Sequence, residues 1–252
     1  MPPDVLSPKL LLFVAVGFLA QLIDGAAGMA YGVSATTVLL SFGVAPATAS
    51  AAVHAAEVFT TGASGLSHLL VGNVRRHLVV RLAIPGMIGG AAGALVLTAF
   101  PAETIRPWVS LYLCAMGGVI LWKAFRPSPP VVDNPPFVPV LGLVGGFLDA
   151  AGGGGWGPIV ASTLIGGGTV PRYAIGSVNL AEFFVTSVVT ATFLATIGLE
   201  LWPVIVGLII GGVIAAPIAA FVAKRVPARP LMGIVGTLVI LLSVKSVLVS
   251  LQ

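Results

Sequence analysis

Residues 21–32, Gln21-Leu-Ile-Asp-Gly-Ala-Ala-Gly-Met-Ala-Tyr-Gly32, set an acid, three glycines and an aromatic between two apolar runs. The pattern returns as Phe147-Leu-Asp-Ala-Ala-Gly-Gly-Gly-Gly-Trp-Gly157. Aligning Asp149 with Asp24 gives an offset of 149 − 24 = 125 that holds without a gap for roughly forty residues, with about one position in three identical. Asp24, Ala26, Gly28 and Gly32 fall on Asp149, Ala151, Gly153 and Gly157. Pro46, Ala49, Val53, Ala56, Glu57, Phe59 and Thr61 fall on Pro171, Ala174, Val178, Ala181, Glu182, Phe184 and Thr186. A repeat this long means that whatever one half folds into, the other folds into as well, which is how many transporters are built.

Of the 252 residues, 58% are hydrophobic and 8% charged, against roughly a quarter charged in a soluble domain. The chain therefore reads as an all-α polytopic membrane protein. That setting turns the excess of Lys and Arg into a topology signal, not a nucleic-acid surface. The lone cysteine, Cys114, excludes a disulfide or a Cys-rich metal site. The apolar run from Leu10 leads straight into the repeated motif and reads as mature structure.

Ten apolar segments follow, five per half, at about 8–24, 28–43, 46–71, 79–100 and 105–124, then 137–149, 155–168, 171–197, 202–223 and 229–251. Residues 1–126 form the first repeat and 137–252 the second, with a Pro-rich cytoplasmic linker at 127–136. The first two segments of each half fall short of the roughly 20 residues a span needs. They form either two thin spans or one re-entrant hairpin, and a hairpin would bring the glycine turns together near the midplane. Loop charge sets direction. Arg75, Arg76 and Arg81 mark a cytoplasmic loop, whereas its repeat mate near Glu200 and Trp202 has no basic residue. The halves are thus inverted. Arg75, Arg76, Arg81, Lys123, Arg126, Arg172, Lys224, Arg225 and Arg229 fall inside, leaving Lys9, Arg106 and Lys245 outside together with both termini.

Asp24, Glu57, Asp149 and Glu182 lie in apolar surroundings, where each charge costs roughly 2.5–3.5 kcal/mol on insertion scales. No Arg or Lys is placed in sequence to neutralise them. The aspartates either cap the helices that follow or take part in transport. His54, Glu57 and Thr61 share one helix face, and Asn179, Glu182 and Thr186 share its counterpart. Such stripes either glue helices, at about 0.6 kcal/mol per contact, or line a cavity. Glycine turns opening helices supply N–H groups suited to an anion. Gly86, Gly89, Gly90, Gly93, Gly207 and Gly211 read as packing faces, and Tyr31 and Trp156 as gates or packing. No catalytic constellation stands out, and His68 and His77 have no metal-ligand spacing, so neither enzyme chemistry, cofactor nor metal is expected.

The doubled Asp-x-x-x-Gly-x-x-x-Gly turn, the Pro46 and Pro171 helix starts and the Glu57 and Glu182 helices together resemble the sulfite exporter TauE/SafE family, also called the toluene sulfonate uptake permeases. The likeness covers nearly the whole chain. It implies a bacterial inner-membrane protein moving a small anion such as sulfite or an organosulfonate, with both exporters and importers in the family. The expectation is a secondary transporter working by alternating access. Asp24, Gly28, Tyr31, Gly32, His54, Asp149, Gly153, Trp156, Gly157 and Asn179 would line the substrate, on the N–H groups near Gly28 and Gly153. Glu57 and Glu182 would carry coupling protons. A passive anion channel and a Na⁺-coupled carrier are the alternatives, and a homo-oligomer is compatible with either. The second turn is richer in glycine, with Gly154 and Gly155 for Met29 and Ala30. Single cysteines at Arg76 and Glu200, with Cys114 removed, should label from opposite sides of the membrane; labelling from one side would end the inverted-repeat reading.

Overall fold

The computed structural model describes residues 8–125, 136–222 and 229–250, and every regular element among them is helical. In order these are α1 (Pro8–Ala27), α2 (Tyr31–Ser41), α3 (Pro46–Leu70), α4 (Arg76–Ala99), α5 (Ala102–Ala124), α6 (Val138–Gly152), a π-helical turn (Gly157–Ala161) running into α7 (Ser162–Gly166), α8 (Pro171–Thr196), α9 (Trp202–Val222) and α10 (Arg229–Ser250). Five of these helices are long and apolar enough to cross a membrane by length and composition. Their outward side chains, such as Leu19, Ile84, Ile88, Leu111, Leu194 and Ile214, are large, apolar and exposed, as lipid contact requires. The chain is a multi-pass membrane protein. Most of the linker at 127–136, with Arg126, Lys224 and Arg225, lies outside the described residues.

The short segments double back. Phe13 near the start of α1 stacks edge-on against Phe42 just past α2, with ring centroids 6.4 Å apart. In the second half, a Cβ on Gly167 after α7 would lie 3.0 Å from the ring of Phe137, which precedes α6. Each pair of arms therefore starts and ends at the same level, which is a hairpin. α1 is longer than its sequence segment, running on past Asp24 to Ala27, and α6 likewise passes Asp149. Each aspartate thus sits in the last turn of its entering arm.

α3 and α8 are repeat mates and pack together antiparallel. Ser64 bonds Asn179 at 2.8 Å, a Cβ on Gly62 would touch Phe183 at 3.1 Å, and the His54 and Phe193 rings lie 6.0 Å apart, so one index falls as the other rises. Continuing that register sets position 60 level with its own mate, position 185, with the Thr60 side chain turned to Gly212 of α9 and that of Val185 to Gly86 of α4. Two equivalent helices that cross antiparallel are related by an axis perpendicular to both, which is the inverted-repeat geometry. The remaining packing obeys the same exchange. α4 lies along α6 as α9 lies along α1, and α5 pairs with its mate α10. Small residues permit the close approach: a Cβ on Gly89 would sit 1.9 Å from the Leu143 carbonyl oxygen, and one on Gly211 2.0 Å from that of Val14. The predicted glycine packing faces at Gly89, Gly93 and Gly211 are real.

Charge segregates by end. Arg75 and Arg172 both lie over the Tyr173 ring, at 4.3 and 4.6 Å, and Arg81 Nη2 donates to Pro136 O at 3.3 Å. Arg106 and Lys245 border a cavity of about 220 Å³ at the opposite end, beside Gly43.

The hairpin tips cross at the centre, backbone on backbone. Gly154 has φ +135°, and a Cβ there would lie 2.4 Å from both Gly32 C and Val33 N. Glycine alone meets both demands. Ala30, the repeat mate of Gly155, is the only non-glycine at positive φ among the described residues, at +111°, a strain of order 1–3 kcal/mol that its surroundings must hold. Replacing Gly154 with Ala should lower the melting temperature in detergent by an amount equivalent to about 1–3 kcal/mol. Gly118→Ala, where a Cβ meets nothing within 4 Å, should be neutral or stabilising by up to about 1 kcal/mol. Equal effects at the two glycines would contradict the crossed-tip packing.

Candidate functional site

Asp24 and Asp149 end their entering arms on the side where the chain reverses. Asp149 Oδ1 accepts the Trp156 N–H at 2.9 Å, and Asp24 accepts that of Tyr31, its repeat equivalent. Each carboxylate therefore caps the helix that begins across the turn, with no other side chain to satisfy those orphan donors. The Gly28 N–H bonds back to Asp24 O, and the Gly153 and Gly154 N–H groups to Asp149 O. The N–H groups near Gly28 and Gly153, taken from sequence as the anion cradle, are thus occupied by the protein itself in this structure. The first N–H groups of α2 beyond Tyr31, on Gly32 and Val33, are the ones without an intrahelical acceptor.

Glu57 and Glu182 come from the middles of α3 and α8. Glu57 Oε1 would lie 2.8 Å from a Cβ on Gly32, so this carboxyl packs where the two tips cross. Glu57 Oε2 has no hydrogen-bond partner. Asp24, Glu57, Asp149 and Glu182 lie within electrostatic range of one another and are closed to solvent. Thr61 and Thr186 donate back to Glu57 O and Glu182 O, one turn earlier, and do not reach the carboxyls.

His54 supplies the only imidazole of the group. Its Nδ1 is 2.8 Å from Ser50 O, which can only accept, so Nδ1 carries a hydrogen. Its Nε2 is 3.2 Å from Asp149 Oδ2 and 3.9 Å from Glu57 Oε2. A nitrogen facing a carboxyl oxygen at that distance needs one proton between them, whichever atom holds it. Ser50 Oγ donates to Ala150 O at 2.9 Å and fixes the same junction. Sequence spacing offered no metal-ligand set. The fold nevertheless brings one donor atom each from His54, Glu57 and Asp149 within 4.8 Å of one another, a set spacing could not reveal because Asp149 arrives from the other half.

Asn179, the mate of His54, does something different: its Nδ2 donates to Ile175 O at 3.1 Å, and its Oδ1 accepts from Ser64. It does not reach Asp24, whose Oδ2 stays unpartnered. Tyr31 and Trp156 are fully buried and tethered, the hydroxyl to Leu208 O at 3.1 Å and the indole N–H to Val178 O at 3.2 Å. Gly157 lies against the other tip, where a Cβ would be 2.5 Å from Met29 Cα. Of the residues singled out by sequence, Gly32, Glu57 and Gly157 pack directly at the crossing, Asp24, Tyr31, Asp149 and Trp156 form the capped turns, and His54 joins through Asp149. Glu182 lies within electrostatic range, Gly28 and Gly153 close the entering arms, and Asn179 sits on Ser64. Gln21, Ser50, Thr60 and Ser64 were not singled out. The signal that finds three of them is a mismatch between the halves, polar Gln21, Thr60 and Ser64 against Gly146, Val185 and Val189. His68, in the last turn of α3, is buried and holds Gly25 O at 3.0 Å.

Comparison with known proteins agrees with this picture. Residues 13–246 match the family described as sulfite exporter TauE/SafE. The chain is 42% identical over 250 residues to the "Probable membrane transporter protein YtnM" of Bacillus subtilis (strain 168), covering 95% of this chain and 83% of that one. No solved structure matches.

His54→Asn, which installs the second-half residue, removes the partner of Asp149 Oδ2 and should cost about 1–3 kcal/mol in detergent unfolding. A double-mutant cycle with Asp149→Asn should give a coupling of about 0.5–3 kcal/mol. Strict additivity would show that the pair shares no proton.

Proposed function

The chain belongs to the sulfite exporter TauE/SafE family and is a membrane transporter, and from that premise we propose that it moves a small sulfur oxyanion, sulfite or an organosulfonate, by proton-coupled alternating access. The membrane is the bacterial inner (plasma) membrane, with the basic loops cytoplasmic and both termini outside. The observation that carries the coupling is the set of four buried carboxyls gathered with one imidazole and no Lys or Arg at the hairpin crossing.

Charge arithmetic makes the case. Two like charges 4 Å apart repel by about 4 kcal/mol even at an effective dielectric of 20. An oxyanion beside ionised Glu57 or Glu182 is expelled, whereas beside the protonated acids it finds donors. Substrate and proton therefore favour one another's presence, which is coupling in the thermodynamic sense. The N-termini of α2 and the π-helical turn add positive dipole ends at the same point. Tyr31 and Trp156 seal the tips, and a closed centre favours a carrier over an open anion channel. The backbone N–H groups near Gly28 and Gly153 serve the anion only after the tips rearrange, since they are bonded within the hairpins here. A second reading, Na⁺ coupling, draws on the convergence of His54, Glu57 and Asp149.

Sulfite or sulfonate flux in vesicles with an imposed pH gradient tests this. Gradient-driven uptake should fall at least about tenfold in Glu57→Gln and Glu182→Gln while substrate exchange without a gradient persists. Unchanged gradient-driven uptake in both variants removes the proton role, and uptake that demands sodium selects the second reading.

A further inference from the structure

The two halves share a backbone but not a distribution of unpaired polar atoms. In the second half Asp149 has both oxygens bonded, to Trp156 N–H and to His54. In the first half Asp24 Oδ2 has no partner, and neither does either amide atom of Gln21, one turn earlier on α1 and 0% exposed. Thr60 Oγ1 also makes no hydrogen bond of good geometry, with the Tyr31 hydroxyl beside it. Gln21 Nε2 and Ser64 Oγ come together over Gly25, lying 3.6 and 3.5 Å from the point a Cβ there would occupy, with Ala219 Cβ packed against the same point at 2.6 Å. The equivalent positions in the second half are Gly146, Val185 and Val189, apolar and close-packed against α4.

A buried unpaired polar group costs about 1–3 kcal/mol, and such groups call for a water, an ion or a ligand. Four of these atoms lie on α1 and α3, on one side of the pseudo-two-fold axis, while the mates of Gln21 and Thr60 are glycine and valine and the mate of Asp24 is the fully bonded Asp149. Building on the transport reading above, we propose that the substrate's oxygen-bearing end is held asymmetrically, in the first-half compartment of Gln21, Asp24, Thr60 and Ser64, and not evenly between the tips. The donors there are neutral. They are the Gln21 amide N–H, the Thr60 hydroxyl and the second N–H of Asn179, whose orientation is fixed because its Oδ1 accepts from Ser64 and its Nδ2 donates to Ile175 O. Asp24 in its acid form adds a fourth donor through Oδ2 and, as an ionised group, would exclude the anion. The ligand class is a small oxyanion with several oxygens on one centre, taken from water by uncharged hydrogen-bond donors.

The test uses purified full-length protein and titration with sulfite and with methanesulfonate. Gln21→Leu and Thr60→Val, the latter installing the second-half residue, should each weaken binding at least about tenfold. Val185→Thr, on the opposite side, should leave affinity unchanged. Without ligand, the Leu and Val variants should melt at or above the wild-type temperature, because each removes a buried unpaired polar group; this separates lost binding from lost folding. Wild-type affinity in both variants, with raised melting temperatures, would mean the compartment holds water only and would overturn the subsite while leaving the transport reading intact. A wild-type protein that binds neither anion overturns both.

Discussion

Backbone meets backbone where the two hairpin tips cross, and an apolar interior tolerates that contact only when the peptide groups exposed by the reversal find partners. Much else follows from that requirement. Glycine at Gly154 lets the tips touch, the reversal opens two new helix ends, and an aspartate in the last turn of each entering arm reaches across to take the first N–H. The aspartates are thus brought into the core by a local hydrogen-bonding need. Once there, they are two carboxyls at the bottom of the lowest-dielectric part of the molecule. Glu57 and Glu182, projecting from the crossed α3 and α8, make four. His54 closes one of the resulting contacts with a proton, and the remaining acids are left to be managed by protonation.

Symmetry and its violations carry different information. The packing of α1 on α9 and α6 on α4, and of α5 on α10, follows the repeat closely because helix contact depends on small residues at fixed spacing. The halves part company where side chains face the crossing: His54 against Asn179, Ala30 against Gly155, Gln21, Thr60 and Ser64 against Gly146, Val185 and Val189. A scaffold can be duplicated, but a ligand without two-fold symmetry cannot be read identically by both copies. The tethers on the returning arms differ as well. Arg106 at the start of α5 holds the carbonyls of Leu40, Gly43 and Val44 after α2, whereas Lys123 at its end holds Ser162 Oγ in α7. One helix thereby fastens both hairpins, at opposite ends of the molecule.

Much of this was legible in the residues themselves. The offset of 125, the segregation of arginine, and four acids in apolar runs are one-dimensional facts, and they point to the membrane class and the inversion while leaving two thin spans or a hairpin open for the short segments. Glu57 and Gly32, 57 − 32 = 25 positions apart within one half, meet in space. What escaped was pairing across the halves. His54 and Asp149 are 95 positions apart, and nothing in either segment says that α6 overshoots the centre far enough to deliver its carboxyl to α3. The same overshoot explains the occupied N–H groups at Gly28 and Gly153. Read as the openings of helices they looked free, but they directly follow the last turns of α1 and α6, where backbone carbonyls claim them. Gln21 was passed over because a lone amide in an apolar helix resembles packing until its partners can be counted.

The crossing combines two demands that oppose each other in water and support each other in a closed apolar core. An anion needs donors, and a carboxylic acid is a donor only while it holds its proton. In a medium that cannot screen, the free energy of protonating an acid and that of admitting an anion beside it are one coupled quantity, and linkage makes the coupling reciprocal. A basic residue in the same place would bind the anion more tightly but would also neutralise the acids, and the two equilibria would come apart. On the proposed transport reading, the absence of Lys and Arg among the described residues at the hairpin crossing is what would let a proton and an anion respond to each other there.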